Sequence, residues 1–187
     1  MTTKKILNQS IEALLNSQVI LYPTDTVWGL GCDATNIDAV AKIFKLKNRI
    51  ESKSLVVLVS SIEMLSTYVD AVPQKAIDII STTKKPTTII YNNPKGLAAN
   101  TIASDNTIAI RIPTHNYCLE VINKLGKPII STSANISGEP TPKSFSEISQ
   151  PILEGVDYVV NLEQEKITNK SSTILKLVGD DIEVIRA

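Results

Sequence analysis

Apolar and polar positions alternate along this chain in two distinct rhythms. Ile6, Leu7, Ile11, Leu14 and Leu15 recur at helical spacing, which predicts an amphipathic first helix. Val19–Tyr22 is a short apolar run stopped by Pro23, as expected of a buried strand. A second helix is predicted to begin at the capping residue Asn36, with Ile37, Val40, Ala41 and Phe44 along one side. Leu55–Val59 is apolar and rich in β-branched residues, the pattern of a central strand. Helical spacing returns over Ile62–Val69 and from Pro73 to about Ser81, with Pro73 suited to a first turn. Thr87–Tyr91 and Thr107–Ile112 read as strands, and Asn116–Leu125 as a helix closed by Gly126. The "KPIIS" segment predicts one more buried strand, followed by a polar loop. "DYVVNL", "STILKL" and "IEVIRA" predict three strands near the end.

Strands interleaved with helices, together with several direct strand-to-strand links, predict an α/β chain of the α+β type. Its sheet is expected to be mixed and covered by helices. Neither an internal repeat nor a Pro/Gly/Ser linker divides the sequence, so residues 1–187 are expected to form one domain. The 43% hydrophobic content supports a packed core. Charge narrows the function classes further. Nineteen Lys and Arg balance nineteen Asp and Glu, which argues against a protein that coats nucleic acid or an anionic membrane. Cys32 and Cys118 have no CxxC or histidine companion, so two reduced thiols are expected. The N-terminal segment lacks a continuous apolar run, and no stretch approaches the roughly 20 apolar residues of a membrane span. A cytoplasmic protein without membrane association is the expectation.

Against that neutral background one segment is strongly cationic. Between Lys42 and Lys53 stand Lys42, Lys45, Lys47, Arg49 and Lys53 against a single Glu51. Lys42 and Lys45 suit a helix C-terminus, where cations complement the dipole. Lys47, Arg49 and Lys53 fall in the connection to the next strand. They read either as a solvated loop or as a site for phosphate, which arginine grips bidentately and lysine meets as a point charge.

Two further segments are candidates. In "YPTDTVWGLGCDA" (Tyr22–Ala34), Gly29, Gly31 and Ala34 formally match the dinucleotide fingerprint. Six residues separate them from the preceding strand, however, and in that fingerprint the glycines follow the strand directly. The dense hydroxyls at Thr24 and Thr26 read equally as turn chemistry and as part of a small-molecule pocket. "ISTSANISGEPT" (Ile130–Thr141) gathers Ser131, Thr132, Ser133, Asn135 and Ser137, neutral donors and acceptors suited to orienting a nucleotide or amino acid. His115 is the single histidine, placed where a helix begins, with a structural or rim role expected. No nucleophile–base triad or carboxylate pair can be assembled, so any chemistry should rest on positioning and charge neutralisation.

Taken together, "YPTDTVWGLGCDA", the Lys-x-Arg of "LKNRIESKSLVVLV" and the Ser-x-Asn of "STSANISG" resemble the signature segments of the YrdC-like threonylcarbamoyl-AMP synthases. The resemblance runs from "VILYPTDT" through "SSTILKL" to "EVIRA". It implies a twisted, open mixed sheet around a basic concave face. It also implies a reaction that joins L-threonine, bicarbonate and ATP into threonylcarbamoyl-adenylate and pyrophosphate, with Mg2+ accompanying ATP and no metal-ligating residues. A threonylcarbamoyl-transferase machinery would then act downstream on adenosine 37 of tRNAs reading ANN codons. Carried over by motif, Lys47 and Arg49 are the implied catalytic cations. Thr26, Arg111, Ser131 and Ser172 are the implied threonine contacts. Arg49, Lys53, Thr107, Ser133, Asn135, Thr141 and Arg186 are the implied ATP contacts.

The chain departs from the family pattern at three places. Ile50 follows the Lys-x-Arg arginine where proline is common, "TKKPTT" replaces Trp-Pro-Gly-Pro, and Trp28 stands where Tyr or Phe is usual. Ending at Ala187, it resembles the one-domain form, without the linker and extra domain of the longer form. A competing reading is a non-catalytic module whose basic face contacts tRNA or double-stranded RNA. Zero net charge and few aromatics weigh against it. A carbamoyl-adenylate domain of the hydrogenase-maturation type is a third reading; the zinc-finger and acylphosphatase segments that usually accompany it do not occur in this sequence.

Overall fold

A computed structural model describes residues 2–50, 55–168, 170–179 and 181–187. Nine strands form one mixed sheet: β1 (Ile20–Tyr22), β2 (Gly29–Gly31), β3 (Val56–Leu58), β4 (Thr87–Asn92), β5 (Thr107–Arg111), β6 (Ile129–Ser133), β7 (Tyr158–Val159), β8 (Thr173–Val178) and β9 (Asp181–Arg186). Their order across the sheet is β7-β1-β2-β6-β3-β5-β4-β8-β9. Six helices accompany them: α1 (Thr3–Leu15), α2 (Ile37–Leu46), α3 (Ile62–Tyr68), α4 (Gln74–Thr82), α5 (Asn116–Leu125) and α6 (Gln150–Gly155). The predicted α/β class and the open mixed sheet are both present. No helix among the described residues is long and apolar enough to cross a membrane.

Local chemistry explains most element ends. The Asn36 side chain accepts from the Ala39 N–H and starts α2, while Ser61 does the same for α3 through Met64. Gly126 adopts φ +70° and ends α5 in the left-handed conformation that glycine tolerates best. Pro73 stands at the N-cap of α4 instead of in its first turn. The buried face of α2 is Ala39, Val40, Ile43 and Phe44, so Ile37, expected on that face, lies 52% exposed.

Two elements were not expected. β2 is Gly-Leu-Gly, a composition that ordinarily disfavours strands. A Cβ at Gly31 would sit 2.6 Å from Tyr22 Cε1 and 2.8 Å from the Ile130 carbonyl oxygen, so any side chain would clash there and glycine lets the strand lie against its neighbours. The short α6 carries Pro151 in its first turn and buries only Ile152, too little periodicity to be read from sequence. In addition, Thr132 and Ser133, expected in a loop, belong to β6, where Gly29 and Leu30 of β2 pair with Ser133 and Thr132.

Strand alternation then divides the sheet into two unequal faces. On one face Leu30, Val57, Ile89, Ile108, Ile110 and Ile130 pack in a core with Ala39, Val40, Ile43 and Phe44 of α2, Leu65 of α3 and Ala76 of α4. On the other, Ile20, Tyr22, Leu58 and Ile129 pack with Ile6, Leu7 and Leu14 of α1 and with Tyr117, Cys118, Val121 and Ile122 of α5. Those two helices cover only part of their face. Arg111 pairs directly with Leu58 and Ser131 with Val56, so the uncovered remainder begins where the second core stops.

Candidate functional site

That uncovered surface is a cleft of about 380 Å³. Its floor is built by residues two apart on successive strands: Gly29 on β2, Ser131 and Ser133 on β6, Val56 on β3, Arg111 on β5, Thr88 on β4 and Ile174 on β8. Thr26, Val27 and Trp28 close one side from the β1–β2 connection. Arg49 enters from the α2–β3 connection, Thr141 and Lys143 from the segment after β6, and Lys170, Ser171, Ser172 and Arg186 from the far edge. Among the described residues the lining cations are therefore Arg49, Arg111, Lys143, Lys170 and Arg186, and none of the described lining residues is a carboxylate.

Arg111 defines the polarity of the floor. Its Nη1 lies 3.0 Å from Asp25 Oδ1, with the two side chains 4% and 6% exposed. Nη1 also donates to Thr26 Oγ1 at 3.4 Å. Asp25 is itself anchored, because Oδ2 accepts from the Thr114 N–H at 3.1 Å. Arg111 Nε is buried without a hydrogen-bond partner. The guanidinium is thus held on its Nη1 corner, while Nε, one arm of the Nε–Nη2 fork that grips a carboxylate bidentately, has no acceptor in the protein. A buried N–H without an acceptor is costly, so the arrangement is one that an anionic ligand would complete.

Hydroxyls surround this edge. Thr24 Oγ1 and Thr26 Oγ1 lie 2.9 Å apart, and Thr24 also donates to the Val27 carbonyl, which fixes the turn. Thr88 donates to Ser172 Oγ at 2.9 Å, and Arg186 binds the Ser172 carbonyl through Nη2 at 2.7 Å and Nε at 3.1 Å. Trp28, 2% exposed and also in the lining, packs with its ring 5.0 Å from that of Phe145. Thr168 ties the far edge to the near one, its hydroxyl donating to the Thr26 carbonyl at 2.6 Å and its N–H to the Lys143 carbonyl at 2.7 Å.

Of the residues expected at the site, the cleft brings together Thr26, Arg49, Arg111, Ser131, Ser133, Thr141, Ser172 and Arg186. Three further expected residues lie outside the described lining. Lys47 does not line the cleft. It is 2% exposed, and its ammonium donates to the Ser133 carbonyl and, at 2.6 Å, to that of Asn135. Asn135 likewise turns its amide into its own loop, donating to the carbonyls of Ile136 and Glu139. Thr107 starts β5, the strand that Arg111 ends, and gives its hydroxyl to Asp105 at 2.6 Å, outside the lining. Lys53 lies outside the described residues. His115 sits at the N-cap of α5 beside Glu163, 3.0 Å away, and takes no part in the cleft. Cys32 and Cys118 are free and buried, and burial pushes both thiols well above their ordinary range.

Sequence reading missed Asp25 as the partner of Arg111, and it missed Lys143, Lys170 and Thr88. A signal existed for the two lysines. Each stands two residues from an expected contact, Lys143 after Thr141 and Lys170 before Ser172.

The architecture and its cleft define a class: an open mixed sheet with a cationic, hydroxyl-lined cleft on one face. The profile of the Sua5/YciO/YrdC family, described as telomere recombination, matches residues 12–187, and the chain belongs to that family. Threonylcarbamoyl-AMP synthase of Pseudoalteromonas translucida is 34% identical over 168 residues, covering 86% of this chain and 88% of that protein. The Bacillus subtilis threonylcarbamoyl-AMP synthase is 32% identical over 179 residues, and there the match covers 95% of this chain but 51% of the relative. Among solved structures, P. abyssi Sua5 complexed with L-threonine superposes with a TM-score of 0.89 at 25% identity, over 100% of this chain and 54% of that one.

Proposed function

We propose that this protein is a threonylcarbamoyl-AMP synthase, converting L-threonine, bicarbonate and ATP into threonylcarbamoyl-adenylate, pyrophosphate and water. The observation that carries the reading is the buried Arg111 guanidinium in the lining of a cationic cleft, fixed by Asp25 through Nη1 and lacking an acceptor at Nε, which suits it to an amino-acid carboxylate. Relatives across most of the chain's length carry that name, and a structural neighbour holds L-threonine.

In this reading the neutral amino group of threonine, its proton lost to solvent, forms an N–C bond to bicarbonate carbon as hydroxide departs with a proton as water. The resulting carbamate is anionic and nucleophilic without help from a protein base. Its oxygen bonds to the α-phosphorus of ATP as the bond to the β-phosphate bridging oxygen breaks and pyrophosphate leaves. Thr26, Ser131 and Ser172 orient threonine beside Arg111. Ser133, Thr141, Arg49 and Arg186 hold the nucleotide, with Lys143 and Lys170 adding positive charge at the rim. Arg49 stabilises the charge that builds on the departing pyrophosphate, catalysis by fixed electrostatics and alignment.

Magnesium fits as a companion of ATP, where it neutralises phosphate charge through phosphate and water oxygens. The described lining offers cations and hydroxyls that would meet the phosphates of such a complex. Two buried free thiols are compatible with a reducing compartment and support the reading of a cytoplasmic reaction, upstream of an enzyme that would transfer the threonylcarbamoyl group to tRNA. A non-catalytic RNA module would want its largest aromatic face exposed for stacking, whereas Trp28 is packed on Phe145.

Pyrophosphate release from ATP is the direct test, with threonine and bicarbonate omitted in turn. Release that needs both is expected. Release indifferent to either omission refutes the assignment.

A further inference from the structure

The Lys-x-Arg and Ser-x-Asn segments, 86 residues apart at their point of contact, are joined by a buried amine. Lys47 caps the C-terminus of α2, and its side chain runs through the interior to the end of β6. There the ammonium meets two backbone carbonyls, those of Ser133 and Asn135. The contact is returned from the opposite side, since the Lys47 carbonyl accepts from the Ser137 N–H at 2.8 Å. Asn135 completes the fastening by donating its side-chain amide to the carbonyls of Ile136 and Glu139. Two residues beyond Lys47, Arg49 takes the other direction and lines the cleft.

We infer that Lys47 is a positioning residue, a clasp that fixes the Ser133–Ser137 backbone and so sets the Ser133 hydroxyl toward the nucleotide, while Arg49 alone of the pair meets phosphate. The inference rests on the reading of Ser133 as an ATP contact. Geometry is its basis: an ammonium enclosed by two carbonyls offers no face to a phosphate without first giving up bonds that are expensive to leave unmade. The titration behaviour of the amine agrees. Burial, aided by the charge of Arg49, lowers Lys47 to about 8. A neutral amine retains two N–H donors for the same two carbonyls, so the clasp survives loss of the proton. A lysine that neutralised phosphate would lose its purpose at that point.

A double-mutant cycle on pyrophosphate release, with Lys47→Met, Ser133→Ala and the pair, separates the two roles. Each single substitution is expected to raise the KM for ATP roughly tenfold, and the double variant to be no more than about twofold worse than the weaker single, because both act through one contact. Multiplying effects, on the order of a hundredfold, overturn the clasp and restore Lys47 as an independent charge. An unchanged KM for ATP in Ser133→Ala alone removes the nucleotide reading itself, a failure distinct from additivity. Should Lys47→Met not fold, the wild-type enzyme decides: a KM for ATP constant between pH 7.5 and 9 is expected, and a steep rise through pH 8 overturns the inference.

Discussion

Replacing Arg111 by lysine keeps a positive charge beside Asp25 and removes the planar fork. The structure allows the consequence to be worked out. Arg111 spends Nη1 on Asp25 and Thr26 and leaves Nε without an acceptor, so a carboxylate that engages the Nε–Nη2 fork would gain two charge-assisted bonds from one rigid plane. An ammonium in its place satisfies Asp25 and offers at most one further bond toward the ligand, as a point charge without directional preference. The net loss is one charge-assisted hydrogen bond, about 1.5–3 kcal/mol, or about 10- to 150-fold in threonine affinity. Because the buried Asp25 keeps a partner, folding should survive. Arg111→Met would strand that carboxylate at a cost of about 3–5 kcal/mol and confound the measurement. The assay is threonine-dependent pyrophosphate release at saturating ATP and bicarbonate. It should show a raised KM for threonine and a KM for ATP changed by less than about threefold, roughly 0.65 kcal/mol. Arg111→Lys with wild-type threonine dependence would falsify the seat assigned to the carboxylate.

Other substitutions probe the remaining parts. Arg49→Ala should lower turnover at least about tenfold, equivalent to about 1.4 kcal/mol in the barrier, in single-turnover measurements; unchanged kinetics would remove this arginine from the mechanism. Gly31→Ala places a methyl against Tyr22 and the Ile130 backbone, and should cost about 1–3 kcal/mol, read as a melting temperature lower by several degrees. The lowered Lys47 pKa also has a stability signature. The unfolded lysine titrates near its ordinary 10.5 and the folded one near 8, so between those values the unfolded chain binds more protons. The penalty for the buried charge is therefore full below about pH 8 and relieved as pH rises toward 10.5. Urea midpoints measured from pH 8 to 10 should rise more in the wild type than in Lys47→Met; parallel profiles would show that the amine titrates normally.

Periodicity and composition by themselves determined five of the six described helices and eight of the nine described strands, because a 3.6- or 2-residue rhythm is local and survives in any sequence window. Motif order carried the family, and with it eight of the residues that line the cleft. The strand β2 escaped because its reason lies elsewhere in the chain: Tyr22 and Ile130 fill the volume that side chains at Gly31 would need. Only the tertiary structure decided which cations face the ligand. Lys47 and Arg49 look equivalent in sequence, yet one is turned inward by carbonyls 86 and 88 residues away while the other lines the cleft. Arg111 acquired its orientation from Asp25 and Thr26, 85 residues from it in the latter case. Charge can be counted along a chain, but the direction in which a charged side chain points is fixed by partners that only folding brings within 3 Å of it.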